Sequence, residues 1–132
     1  MKSRIRIATV DDAAAFVEIK NQLSITNIDG TAAIGGFLLG TDEATYQFYI
    51  ENAFCLVAEA DGKAIGFGII FTDGMLKKSD VWQRRGKANW NIDLQEFENK
   101  KLGYFEQLAF LEGQRKMVLT LTYNLTKWVF DC

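Results

Sequence analysis

The chain has no histidine and only two cysteines, and no apolar run approaches the length of a membrane span. Without imidazole there is no Ser-His-Asp triad, no Cys-His dyad and no zinc site of the histidine type. Two thiols, Cys55 within an apolar run and Cys132 as the last residue, are too few for a disulfide framework or a four-thiolate metal centre. The expected compartment is therefore a reducing one, the cytoplasm. The amino-terminal stretch Met1–Arg6 is charged and lacks the apolar core of a signal peptide, so neither export nor membrane insertion is expected.

A large excess of charge of one sign is missing too. The 15 basic and 17 acidic side chains leave a net charge of -2, which does not suggest a surface built for polyanions. The distribution is uneven, however. Between Met75 and Lys101 stand seven basic residues (Lys77, Lys78, Arg84, Arg85, Lys87, Lys100, Lys101) against four acids (Asp80, Asp93, Glu96, Glu98). Trp82 and Trp90 lie among them, a mixture that can stack on single-stranded nucleic acid. Aromatic anchors flanked by solvated charges are the commoner source of such a mixture and the nearby acids dilute the field, so no nucleic-acid partner is expected.

What is present reads as one globular domain over 1–132: 48% of the residues are hydrophobic and 24% charged, too apolar for a disordered chain. Arg4–Ala8 alternates polar and apolar side chains, the period of a half-buried strand. Thr9 follows as a helix cap, with Asp12 three residues on to return a carboxylate to the cap amide. The spacing predicts a helix from about Val10 to Leu23, with Val10, Ala14, Val17 and Leu23 near one face. Residues 24–40 contain Asn27–Gly30 and Gly35–Gly36 and read as a long loop. Thr41 is read as the cap of a second helix ending near Asn52.

Residues 54–71 carry the clearest local signal. Two apolar runs flank Asp61–Gly62, a pair suited to the positive φ angles of a type I′ turn, so a β-hairpin is predicted. Ile65, Phe67, Ile69 and Phe71 mark one face of its second strand, and Gly66 and Gly68 thin the other so that another element can approach closely. Residues 75–99 read as a short helix around Ser79–Trp90 with an irregular return. Leu102–Leu111 reads as a strand, and Met117, Leu121, Leu125 and Trp128 recur at helical spacing in the last segment.

Three passages in this order resemble the GNAT family of N-acetyltransferases. Residues 5–16 (IRIATVDDAAAF) look like the family's opening strand and helix, and residues 57–67 (VAEADGKAIGF) like its second and third strands. Residues 104–116 (YFEQLAFLEGQRK) look like its fourth strand and the start of its acetyl-CoA motif. The resemblance implies an α+β fold, a mixed but mainly antiparallel sheet flanked by helices. It also implies transfer of an acetyl group from acetyl-CoA to a small-molecule or peptide amine, without a metal.

The resemblance puts Glu106 where some members place the carboxylate that deprotonates the amine; a polar residue on the solvated side of the strand is the other reading. Phe105 and Leu108 beside it are the apolar neighbours expected to desolvate it if it points inward. Residues 24–40 would shape the amine pocket. Phe110, Gln114, Arg115, Lys116, Met117, Val118 and Leu119 fall where the pyrophosphate of the coenzyme would meet a helix N-terminus.

Two departures from the family pattern follow. Its turn reads Gln/Arg-x-x-Gly-x-Gly/Ala. Starting at Arg115 puts Val118 and Thr120 at the glycine positions, and starting at Gln114 puts Met117 and Leu119 there, so coenzyme binding and catalysis are expected to be weak or lost. The family's domain also continues beyond this helix, so the chain reads as truncated after it, and the tyrosine that often protonates the leaving thiolate is not assigned to Tyr123. An uncovered sheet edge beside an apolar helix invites a second copy, which predicts a homodimer or larger homo-oligomer. A non-catalytic, oligomeric interaction module on the same scaffold is the alternative function.

Overall fold

A computed structural model describes residues 3–25, 41–87, 94–111 and 117–131. Four strands, β1 (Ser3–Ile7), β2 (Phe54–Ala60), β3 (Lys63–Phe71) and β4 (Tyr104–Phe110), form one antiparallel sheet in the order β1-β2-β3-β4. Helices α1 (Ala13–Ile25) and α2 (Glu43–Asn52) cover one face, and α6 (Val118–Asp131) covers the other. Between β3 and β4 the described residues include three short helices, α3 (Asp73–Lys77), α4 (Asp80–Gln83) and α5 (Leu94–Glu98). The fold is α+β, with helices on both sides of the sheet.

Alternation along the strands divides the core. Cys55 and Val57 of β2 and Phe67, Ile69 and Phe71 of β3 face α1 and α2, while Leu56, Ala58, Ala60 and Ile70 face α6. Phe16 of α1 stacks on Phe67 with centroids 4.1 Å apart, and Tyr46 of α2 meets both rings edge-on at 5.5 Å. All three are fully buried. Removing a ring of that size from a packed core costs about 3–5 kcal/mol.

The hairpin turn forms as its residues dictate, with Asp61 at φ 53° and Gly62 at φ 81°. The glycines of β3 also have a visible reason: a Cβ on Gly66 would enter the ring of Phe110, and one on Gly68 would collide with Leu125 of α6. Ile65 departs from the expected face. Ala58 pairs with Gly66 and Glu59 with Ala64, so Ile65 is the extra residue of a bulge and packs in the α6 layer instead.

Local chemistry explains the remaining differences. The Thr9 amide donates to Asp12 Oδ2 at 2.7 Å, as the capping pattern predicts, but Val10–Asp12 form a 3₁₀ turn before α1 begins. That turn rotates the buried face onto Ala13, Phe16 and Ile19 and leaves Val10 exposed. Asp42, not Thr41, caps α2, its Oδ1 accepting from the Thr45 amide at 2.8 Å. Thr41 is drawn inward, its carbonyl accepting from Lys20 and its hydroxyl from Gln107.

In the stretch read as one helix over Ser79–Trp90, the described residues form α4, capped by Ser79, and then a 3₁₀ turn at Arg85–Lys87; 88–90, with Trp90, lie outside the described residues. Thr72 caps α3, a helix that the sequence pattern did not predict. The final helix buries Leu121 and Leu125 as its spacing predicts. The long loop lies outside the described residues from 26 to 40.

Candidate functional site

The site begins with a register shift. Ile69 of β3 pairs with Gln107 and Ile70 with Phe105, so Glu106 is skipped by the ladder and forms a bulge in β4. A bulge re-aims the side chain it carries. Phe105 and Leu108 belong to the α6 side of the sheet, opposite Ile70 and Gly68, and both are exposed. Glu106 instead lines a cleft of about 580 Å³ on the side of α1 and α2. The apolar neighbours that sequence reasoning invoked to desolvate it are therefore on the wrong face, and the cleft itself does so.

Other parts of the fold complete the cleft around Glu106 of β4. Phe48, Tyr49 and Asn52 of α2 form one wall; Phe71 ends β3 at its floor; Thr72, Gly74 and Met75, with Lys78–Val81, form the facing wall. That wall is pinned to the segment that leads into β4. Asp73 Oδ1 accepts from the Leu102 amide at 2.8 Å and from Lys77 Nζ at 2.9 Å, and Lys77 also donates to the Lys100 carbonyl at 3.0 Å. The Ser79 hydroxyl accepts from the Trp82 amide and donates to the Leu76 carbonyl, holding the turn between α3 and α4.

The rings touch in series. Phe48 and Tyr49 have centroids 6.2 Å apart, Tyr49 and Phe71 5.2 Å, and Phe71 and Tyr104 5.9 Å. Burial beside them pushes the Glu106 carboxyl above the usual glutamate value. The influence is mutual: the phenols of Tyr46, Tyr49 and Tyr104 are all raised, first by burial and then in part by the Glu106 charge, Tyr46 to about 12. A carboxylate with raised proton affinity facing a cleft has the character of a general base.

Beneath it runs a polar relay. Tyr46 Oη donates to Gln107 Oε1 at 2.8 Å, and Gln107 Nε2 donates to Thr41 Oγ1 at 3.0 Å, all buried between α2 and β4. This chain of bonds fixes the strand at the residue next to Glu106. Sequence reasoning missed the aromatic wall. Its signal was the run Tyr46, Phe48, Tyr49 on one short helix, which supplies rings to more than one face.

Of the residues expected to meet a coenzyme, Phe110 and Met117 have described side chains. Phe110 is buried over Gly66, and Met117 is half-buried against the same core layer under α6. Val118 and Leu119 open α6, with side chains outside the described residues, and Gln114, Arg115 and Lys116 also lie outside them.

The basic and aromatic insert is turned onto itself. Arg85 lies 4.4 Å from the centre of the Trp82 ring, donates to the Trp82 carbonyl at 2.9 Å and pairs with Glu98 at 2.6 Å. At the other end of the sheet, Arg4 and Arg6 pair with Glu59, and Arg6 also grips Asp12 with two bonds of 2.8 Å. Among the described residues no group of three His, Cys, Asp or Glu side chains is placed to hold a metal ion. No described helix is long and apolar enough to cross a membrane.

The sequence matches no protein-family model and no curated protein.

Proposed function

We propose that the chain is an N-acetyltransferase of the GNAT type, with the cleft at Glu106 as its acceptor-amine site. The observation that carries this reading is the β4 bulge, which turns Glu106 out of the ladder and into an aromatic-walled cleft. An amine enters as its ammonium ion and must lose a proton to become a nucleophile. Glu106, held above the usual glutamate range by burial, accepts that proton; the free amine then attacks the thioester carbonyl of acetyl-CoA, the C–S bond breaks as the amide C–N bond forms, and the nitrogen's surplus proton passes to the departing thiolate. The backbone amides around Arg115–Leu119, leading into α6, are the donors proposed for the pyrophosphate. The bulky residues of that turn set a low rate.

Calorimetric titration with acetyl-CoA, followed by a thiol-release assay over a panel of amines, tests this. Binding, with turnover abolished in Glu106→Gln, supports it; no heat and no turnover refute it.

A second reading rests on a separate observation. Phe105 and Leu108 expose 45% and 36% of their surface on β4, a strand paired on one side only among the described residues. Such an edge suits a second copy of the chain in a non-catalytic assembly. Light scattering at micromolar concentration checks it, and a monodisperse monomer counts against it.

A further inference from the structure

The cleft carries information about the shape of its occupant that the proton-transfer role of Glu106 does not use. Its described lining combines a continuous aromatic and aliphatic surface with an excess of acid. Glu106 and Asp80 stand against Lys78 alone, and of these only Glu106 is recessed, Asp80 and Lys78 being exposed at the rim. Phe48 is 56% exposed although it belongs to an aromatic series that continues inward through Tyr49 to Phe71. A phenylalanine so exposed at the mouth of a cleft contributes nothing to the core, yet it extends the apolar wall by one ring. Carboxylates and ring faces both attract organic cations, the first by charge and the second through the ring quadrupole. A polar cation such as a bare aminoalcohol leaves the rings uncovered, and a neutral aromatic leaves the recessed carboxylate without a partner.

We propose that this cleft binds a small organic amine with an apolar body of one or two rings or similar bulk, its ammonium head on Glu106 and its body along Phe48, Tyr49 and Phe71. This deepens the acetyltransferase reading and rests on it for the fate of the amine, although binding itself does not. About 580 Å³ lies within the range of small-molecule pockets and accommodates such a body with water to spare. The facing wall is supplied by Met75 and Val81, and Met is suited to packing against bodies of differing shape.

Two-dimensional NMR of the full chain tests this without acetyl-CoA, with 2-phenylethylamine as the probe and 2-phenylethanol and ethanolamine as matched controls lacking the charge or the ring. The amine is expected to shift resonances of Tyr49, Phe71, Met75 and Glu106 and to bind at least about tenfold more tightly than either control. Glu106→Gln should weaken the amine by about tenfold and leave 2-phenylethanol unchanged. Phe48→Ala, at a position whose exposure spares the fold, should weaken both aromatic probes severalfold.

Equal affinity for ethanolamine or for 2-phenylethanol, shifts confined to another surface, or an unaltered amine affinity in a natively folded Glu106→Gln protein would each overturn the proposal. The two readings fail separately. Amine binding without any acetyl-CoA binding or consumption refutes acetyl transfer and leaves this site standing; turnover of ethanolamine with no preference for 2-phenylethylamine refutes the apolar-body proposal alone.

Discussion

Replacing Tyr46 by phenylalanine deletes one oxygen from the interior and leaves the packing of Phe16, Tyr46 and Phe67 intact. The ring is fully buried and its edge-to-face contacts do not involve the hydroxyl. Gln107, only 2% exposed, is then left with a carbonyl oxygen that has lost its 2.8 Å donor. A buried acceptor stripped of its partner costs about 1–3 kcal/mol, and no cavity penalty adds to it. At about 4 °C per kcal/mol for a domain of this size, Tm should fall by roughly 4–12 °C.

Urea unfolding followed by tryptophan fluorescence measures the loss, and a double-mutant cycle locates it. In Tyr46→Phe with Gln107→Leu the orphaned amide is gone, so the double variant should be more stable than the sum of the single losses predicts, by about 1 kcal/mol or more. An unchanged midpoint in Tyr46→Phe, or strict additivity in the cycle, would refute the claim that this relay fixes β4 beside Glu106.

Four further outcomes follow from the same structure. Asp12 and Glu59 are held below their ordinary values, Asp12 chiefly by its bond from Arg6 and Glu59 chiefly by its bond from Arg4. The stability they confer is complete above the ordinary carboxylate range and is lost as pH falls through their depressed values; Arg6→Ala should flatten that acid limb in pH-dependent urea titrations. Glu106 has the opposite sign, so its cost is present above its raised value and absent below the ordinary one, and Glu106→Gln should unfold at higher urea than the parent at neutral pH but not in acid. Gly68→Ala drives a methyl into Leu125 and should cost about 1–3 kcal/mol by thermal denaturation. Burial pushes the Cys55 thiol up to about 12, so in a Cys132→Ser protein its labelling by a thiol reagent should occur only through opening of the fold and accelerate in step with urea.

The parts of the fold legible in the sequence are those decided within a few residues. Asp61–Gly62 specifies its turn because few pairs accept positive φ twice, and Asp12 announces a capping bond because it stands three residues after Thr9. Alternation exposed the strands, although it misplaced Ile65 because a bulge resets the period and leaves no mark in composition. The buried face of α1 was read in part for a related reason: Val17 and Leu23 pack on the core, but Val10 and Ala14 face outward because a 3₁₀ turn advances the helix phase before the first α turn. Glu106 was singled out through the family resemblance, which places a carboxylate at that point of the fourth strand. Its surroundings were not, because α2, the end of β3, the α3–α4 turn and β4 meet only through tertiary pairing. Thr41 shows the same limit, serving the interior at a position where local rules make it a cap.

Glu106 is a recessed carboxylate that faces the cleft, and direct titration of its side-chain carboxyl carbon by NMR tests that most plainly. The midpoint should lie above the ordinary value of 4.5 in the free protein and move down when 2-phenylethylamine is added, because a bound ammonium favours the charged form. A midpoint at or below 4.5 that ignores the amine would contradict it.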